Sequence, residues 1–296
     1  MGVIKKVILT GATGYLGSNI LKKLIRNGYQ ITIVLRSSSN IFRIKDFLHL
    51  VNCWYIDKDP FVSLFLNNPE IIIHTAASYG RKGETLEEII SSNILFPLSL
   101  LDEAKKAGVR YFINTDTALP RTLNSYSLSK KQLVDWLSLF EEYFTIANIE
   151  LQYFYGPFDD DTKFVTGIIK KLLTNQPSID FTQGTQARDF IYIDDAVNAY
   201  ITTIEKLPYL KKLTHIELGT GQVIILRDMI KKMSTLCGNS ITNLNFGALP
   251  MRAGEIMYAK ANTETLNKWG WHALVSLEDG LTETIKMENL ILHGTN

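Results

Sequence analysis

The chain has 296 residues, 46% of them hydrophobic and 10% aromatic, enough for one large core or for a main domain with a smaller lobe. Lys and Arg number 31 against 30 Asp and Glu, and the net charge of +1 excludes the broad basic face of a nucleic-acid binder. Anionic ligands must therefore be held by a few placed residues. Cys53 and Cys237 lie far apart without metal-ligand spacing and read as two free buried thiols. The five histidines place no pair on one helical face, so no metal site is expected. No apolar run reaches the ~18 residues of a membrane span. The chain opens directly on strand-like sequence with no signal peptide, and a cytoplasmic protein is expected.

In chain order, a short apolar strand at 7–9 runs into the turn Gly11-Ala12-Thr13-Gly14-Tyr15-Leu16-Gly17. A helix is predicted at 18–27, with Ile20, Leu21, Leu24 and Ile25 at helical spacing and Gly28 as its stop. Strands follow at 31–35, 54–56 and 71–73, then a helix at 91–107 closed by Gly108, a strand at 111–114, a long helix at 125–144 and a sixth strand at 149–154. Strands apolar on both faces and alternating with helices specify a parallel sheet covered on both sides. The expected fold is α/β, a Rossmann-type doubly wound sheet. Beyond 155 the rhythm breaks into mixed pieces, with helices at 164–174, 193–204 and 226–236 and strands at 179–181, 214–218 and 242–246. The expectation is a dinucleotide-binding domain at 1–155 and a smaller α/β substrate lobe at 156–296. The two should form one compact unit, with substrate between them and the chain free to cross from one to the other.

The spacing Gly11-x-x-Gly14-x-x-Gly17 lies between a strand and a helix. Glycine allows the tight turn and close approach of a pyrophosphate to backbone, and the helix N-terminus adds free N–H groups and a partial positive charge. Gly11, Thr13, Gly14, Tyr15, Leu16 and Gly17 are the candidate pyrophosphate-turn residues. The end of the second strand chooses the cofactor, because an acid there binds the ribose 2′-hydroxyl of NAD. Here Leu35 is followed by Arg36-Ser37-Ser38-Ser39, and no carboxylate lies from Tyr29 through Ile44. Arg36 suits a 2′-phosphate, with Ser37 as a further donor, so NADPH is the expected cofactor. Asp57, after the third strand, is a candidate for the adenine amino group.

Tyr126 and Lys130 stand four apart, which puts them on one helical face. The lysine charge and a nearby oxidised nicotinamide are expected to lower the tyrosine pKa and make the phenol a usable acid or base.

These segments together resemble the extended short-chain dehydrogenase/reductases that act on nucleotide sugars. The glycine turn, His74-Thr75-Ala76-Ala77, Tyr126-x-x-x-Lys130 and Tyr153-Phe154-Tyr155-Gly156-Pro157 carry the resemblance. So do Gly184-x-Gln186-x-Arg188-Asp189-Phe190-Ile191-Tyr192-Ile193-Asp194-Asp195, Glu217-Leu218-Gly219-Thr220-Gly221 and Arg252-x-Gly254-Glu255. The resemblance covers essentially the whole chain in order. It implies a third catalytic residue just past the fifth strand, Thr117, with Thr115 as the backup in a shifted register. It also implies cofactor contacts from Ala76, Ala77, Tyr126 and Lys130. For substrate it implies Tyr79, Arg81 and Asn93 near the sugar and Arg188 and Arg252 at the diphosphate. Arg188 could instead pair with Asp189 or Asp194. Asp159-Asp160-Asp161 reads as solvated capping before a helix.

Two departures narrow the reaction. The family's sugar 4,6-dehydratases carry an Asp-Glu pair after the catalytic Thr, where this chain has Ala118-Leu119. The segment from Thr117 to Tyr126 is also short for an epimerase or dehydratase. In detail, Ala77-Ser78-Tyr79-Gly80-Arg81, Ser92-Asn93-Ile94-Leu95-Phe96-Pro97, Phe154-Tyr155-Gly156-Pro157-Phe158-Asp159 and Lys163-Phe164 look most like the reductases that form CDP-3,6-dideoxyhexoses for surface polysaccharides. The short loop is more like the paratose-forming than the abequose-forming branch. The resemblance thus implies NADPH-dependent reduction at C4 of a CDP-4-keto-3,6-dideoxyhexose. A nucleotide-sugar 4-epimerase with tightly bound NAD and a non-catalytic dinucleotide-binding protein are the alternatives. A homodimer is a family expectation, and neither nucleic acid nor membrane is expected as a partner.

Overall fold

The apolar runs that the sequence alternates with helices become the strands of one large sheet. The structure is a computed structural model and describes residues 6–252 and 254–294. Six parallel strands make up most of the sheet: β1 (Lys6–Thr10), β2 (Gln30–Leu35), β3 (Asn52–Tyr55), β4 (Ile71–His74), β5 (Tyr111–Thr117) and β6 (Thr145–Leu151). Their spatial order is β6-β5-β4-β1-β2-β3, with the strand Leu213–Leu218 added outside β6 as the seventh among the described residues. The reversal of direction beside β1 is the switch point at which open α/β sheets bind ligands, outside the strands' carboxyl ends.

Ile8, Ile72 and Phe112 on neighbouring strands are buried with Leu100, Leu101, Leu133 and Leu137 from the covering helices. These helices are α1 (Tyr15–Arg26), α2 (Leu86–Ile90), α3 (Phe96–Lys106) and α4 (Ser125–Leu137). A wide π-type turn, Ser91–Leu95, joins α2 to α3. Such turns insert a residue into the helical ladder and re-aim side chains, frequently at functional sites.

The chain divides into two compact units. The first runs up to Leu151 and takes back Val197–Glu217; the second consists of Gln152–Ala196 and the chain from Leu218 on. The first division falls at 151, near the 155 read from the sequence, and the chain crosses between the units three times. The strand at 213–218, expected in the smaller lobe, belongs to the large sheet instead. Its Ile216 and Leu218 are buried, and an open sheet edge beside β6 buries them without new elements.

The second unit is built from short ladders. Tyr153–Tyr155 pairs parallel with Phe190–Tyr192, and Ser178–Phe181 with Asn243–Phe246. Ala187–Arg188 lies between Ile224–Ile225 and Tyr258–Ala259. Its longer helices are Phe164–Leu173, Leu226–Leu236 and Leu277–Leu292, the last not anticipated from sequence. Three further boundaries move. Residues 149–154 split at Gln152 into β6 and a strand of the second unit, α1 begins at Tyr15 instead of 18, and α4 stops at Leu137. Cys53 and Cys237 are free and only part-buried. Among the described residues, no helix is long and apolar enough to cross a membrane.

Candidate active site

The glycine turn is held shut by backbone. Gly14 N–H donates to Gly11 O at 2.9 Å and Ser18 N–H to Gly14 O at 2.9 Å. Gly11 sits at φ +73°, and a Cβ there would lie 2.6 Å from Ala76 N; a Cβ on Gly17 would lie 2.1 Å from Gly11 O. Only glycine fits both places. Gly14 is the N-cap of α1, contributes no side chain to cap it, and no acid occupies the first turn. The leading N–H groups behind Thr13 and Gly14, at Tyr15 and Leu16, thus form an uncapped positive helix end. This cradle fits the pyrophosphate of a dinucleotide. Ala76 and Ala77 follow β4 beside it, and Ala76 N–H donates to Thr10 Oγ1 at 3.3 Å. The Thr10 hydroxyl also hydrogen-bonds His74 Nδ1 at 2.8 Å. Complete burial, reinforced by the Lys130 charge, holds the His74 pKa well below its ordinary value, so the ring is neutral.

At the end of β2, Arg36 is exposed and donates to Ser92 Oγ at 3.1 Å, while its own N–H is fixed by Ser39 Oγ at 3.0 Å. Asp57 accepts the Ser37 N–H at 3.0 Å, and hydrogen bonding from Ser37 holds its carboxyl below the usual carboxylate range. Asp57 thus orders the loop that carries Arg36.

The chemistry-bearing residues meet around α4. Its N-terminus is fixed by a reciprocal box: Asn124 Oδ1 accepts the Ser127 N–H at 2.8 Å and Ser127 Oγ accepts the Asn124 N–H at 3.2 Å. Tyr126 follows the cap, and Lys130, one turn on, is 1% exposed. Thr117 ends β5 and is buried, its hydroxyl accepts the Leu119 N–H at 3.2 Å, and it acts to lower the Tyr126 pKa. The alternative Thr115 faces elsewhere, with its hydroxyl 2.7 Å from Tyr200 Oη. Burial pulls the Lys130 pKa down to about 8, against the attraction of Asp116. Tyr126 departs from the expectation of a lowered pKa. Burial first, then Tyr79 and Asp116, push it well above the ordinary phenol value, and only Thr117 opposes them. Desolvation leads the rise, and the phenol keeps its proton at neutral pH.

Tyr79 stacks on Tyr126 with ring centroids 4.6 Å apart, and the Arg81 guanidinium lies 5.9 Å from the Tyr79 ring. Asn93, in the π turn, is fully buried. It accepts the Ser78 N–H at 2.7 Å and donates to Ser78 O and Ser129 Oγ, each at 2.9 Å. Its amide is thereby committed to holding the Tyr79 loop against α4, with both of its donor bonds made to protein.

A polar network beneath Thr117 was not read from the sequence. Asp116, 3% exposed, accepts the Thr117 N–H at 2.7 Å, Lys131 Nζ at 2.8 Å and Asn148 Nδ2 at 3.3 Å. Lys131 also reaches Glu150 at 2.6 Å, and Asn148 accepts from Asn114 at 2.7 Å. The available signal was Asp116 and Glu150 at paired positions of neighbouring strands, with Lys131 beside Lys130.

In the second unit, Arg188 is 4% exposed and pairs with Glu255 at 2.9 Å, not with Asp189 or Asp194. It also donates to Ala187 O and Ile256 O. Asp189 instead accepts the N–H groups of Thr220, Gly221 and Ala261 and the Thr220 hydroxyl. Arg252 is exposed.

Residues 7–219 match the model of the NAD dependent epimerase/dehydratase family. CDP-abequose synthase of Salmonella muenchen is 33% identical to the chain, over 97% of this chain and 99% of that protein. CDP-abequose synthase of Salmonella typhimurium is 30% identical, over 95% and 97%. Among solved structures, UDP-glucuronic acid 4-epimerase from Bacillus cereus in complex with UDP-glucuronic acid and NAD superposes with a TM-score of 0.85 at 22% identity, covering 97% of this chain and 99% of that one. The chain belongs to the NAD dependent epimerase/dehydratase family. It is an enzyme of the extended short-chain dehydrogenase/reductase type that acts on nucleotide sugars.

Proposed function

We propose that the protein reduces the C4 ketone of a CDP-linked 4-keto-3,6-dideoxyhexose with NADPH. The observation that carries this reading is the protonated Tyr126, one helical turn from buried Lys130, with Thr117 acting on its phenol and with Ala118 and Leu119 beside Thr117 where a dehydratase needs acids. A ketone reduction requires a proton donor at the nascent alkoxide, and a raised phenol pKa keeps that donor loaded. Tyr126 gives its proton to the C4 oxygen, and the Thr117 hydroxyl hydrogen-bonds the same oxygen and sets its position. Lys130, cationic below about pH 8, stabilises the tyrosinate left behind.

The bound dinucleotide supplies the hydride. Gly11, Thr13, Gly14, Tyr15, Leu16 and Gly17 would hold its pyrophosphate, and Arg36 and Ser37 its 2′-phosphate. Asp57 would lie at the adenine, and Ala76, Ala77, Tyr126 and Lys130 at the nicotinamide half. Tyr79, Arg81 and Thr117 would face the sugar. Asn93 would support them through Ser78, and Arg188 and Arg252 would meet the diphosphate. Reading the short Thr117 to Tyr126 loop as a trimmed pocket wall makes CDP-paratose the proposed product and CDP-abequose its alternative. The proposed working form is a cytoplasmic homodimer.

The deciding experiment incubates the purified protein with NADPH and a panel of 4-keto sugar nucleotides and follows loss of reduced-nicotinamide absorbance. Turnover with a CDP-4-keto sugar supports the reading. Copurified NAD, with C4 inversion of a nucleotide sugar and no added reductant, replaces it with a 4-epimerase.

A further inference from the structure

We propose that Asp116 and Lys131 are positioning residues, an ion pair that ties the Thr117 end of β5 to α4 and β6 and so fixes Thr117 relative to Tyr126 and Lys130. This rests on the reading of Thr117, Tyr126 and Lys130 as the reacting set. The need for such a tie lies in the sheet. β4 stops at His74, whose partner on β5 is Asn114, so Thr115, Asp116 and Thr117 pair with β6 alone. Ala118 N–H donates to Leu151 O on the β6 side. The Thr117 N–H, one residue back, therefore points to the side that β4 has left and needs another acceptor. Asp116 Oδ1 supplies it at 2.7 Å. Thr117 Oγ1 in turn accepts the Leu119 N–H at 3.2 Å. Thr117 is held at two atoms, and neither bond uses its hydroxyl proton.

The other Asp116 oxygen makes the tie. Its Oδ2 accepts Lys131 Nζ at 2.8 Å and Asn148 Nδ2 at 3.3 Å. Lys131 follows Lys130 on α4 and also donates to Glu150 Oε2 at 2.6 Å. Asp116 and Glu150 are register partners on neighbouring strands, so their like charges repel unless a cation joins them. One ammonium thus gathers β5, β6 and α4: the strand that ends in Thr117, its neighbour, and the helix that carries Tyr126 and Lys130.

The same pair acts on Lys130 through charge. Burial lowers the Lys130 pKa to about 8; Asp116 opposes that fall and Lys131 adds to it. The remaining titratable neighbours carry no charge at neutral pH: His74 on β4 is kept neutral by its burial, and Tyr126 keeps its proton. Asp116 and Lys131 therefore pull the Lys130 titration in opposite directions, which gives the pair a signature that a mere strap lacks.

The test compares Lys131→Met, Lys131→Arg and Asp116→Asn with wild type. Lys131→Met removes the tie, and kcat should fall about tenfold or more while KM and NADPH affinity stay within about twofold. Lys131→Arg, with a cationic fork for both carboxylates, should recover kcat to within about threefold of wild type. The alkaline decline of turnover should move above pH 8 in Lys131→Met, which loses a like charge beside Lys130, and below pH 8 in Asp116→Asn, which loses the attraction. A readout free of substrate and cofactor is the Lys130 titration by NMR in 13C-lysine-labelled protein, which should shift in the same two directions. Lys131 is only part-buried, so its variants decide the matter if Asp116→Asn does not fold. Unchanged kcat in Lys131→Met overturns the proposal, as does a loss of kcat with melting temperature lowered and the Lys130 titration unmoved. If wild type oxidises NADPH with no keto sugar, it is the reductase reading that fails, and the Lys130 titrations still judge the pair.

Discussion

Two buried charges of the second unit are well compensated, and two titratable groups of the first are not. In the second, Asp189 is saturated by three backbone N–H groups and a hydroxyl, and Arg188 donates to Glu255 and to two carbonyls. In the first, Lys130 is buried so deeply that its pKa falls to about 8, and Tyr126 is pushed well above an ordinary phenol. Saturated ions hold a fold in place, whereas incompletely compensated ones store free energy that substrate and cofactor can use. Such a mismatch sets Lys130 and Tyr126 apart from Asp189 and Arg188, and burial also raises the pKa values of Tyr192 and Asp195 in the second unit.

The contrast breaks most sharply at Tyr126. Tyr126→Phe should lower turnover about 10³-fold while NADPH affinity, read by fluorescence titration, stays the same. Near-normal turnover would remove Tyr126 from the chemistry. Asp189→Ala should do the reverse. Four donors lose their acceptor, so denaturant unfolding should show a loss of about 3–4 kcal/mol, or failure to accumulate as folded protein.

Lys130 sharpens the comparison through pH. A lysine whose folded pKa lies near 8 against the ordinary 10.5 binds its proton less well folded than unfolded. Its penalty, about 3 kcal/mol, is fully present below pH 8 and disappears as pH rises to 10.5. Lys130→Met should therefore stabilise the cofactor-free protein at pH 7 by up to that amount, with the advantage gone near pH 10.5, as thermal melts across the range will show. Turnover of the wild type should decline as pH passes 8 and the ammonium is lost. The smallest effect belongs to the exposed Arg36. Arg36→Ala should weaken NADPH about tenfold and leave NADH unchanged, and equal losses for both would dissociate Arg36 from the 2′-phosphate.

Much of the first unit was legible in the sequence because its signals are local. Apolar runs at 7–9, 31–35 and 71–73 admit few conformations, and the three turn glycines answer to clashes within a few residues and one neighbouring strand. The tyrosine and lysine four apart are read from helical periodicity alone. The second unit was legible only in pieces. Its two- to four-residue strands carry no periodicity, and Leu277–Leu292 escaped notice among mixed apolar and charged residues. The placement of 213–218 in the large sheet depends on which edge is open, a property of the assembled sheet.

By itself the sequence determined the glycine turn, the arginine at the end of the second strand and the four-residue spacing of Tyr126 and Lys130. Each rests on spacing along one element or its immediate ends. Only the tertiary structure decided that Asn93 is spent on the Tyr79 loop and that Arg188 answers to Glu255. It alone set Asp116 under the site and gave Tyr126 a raised pKa instead of a lowered one. Desolvation and long-range pairing depend on what other segments bring to the same few ångströms, and no spacing within one segment encodes them.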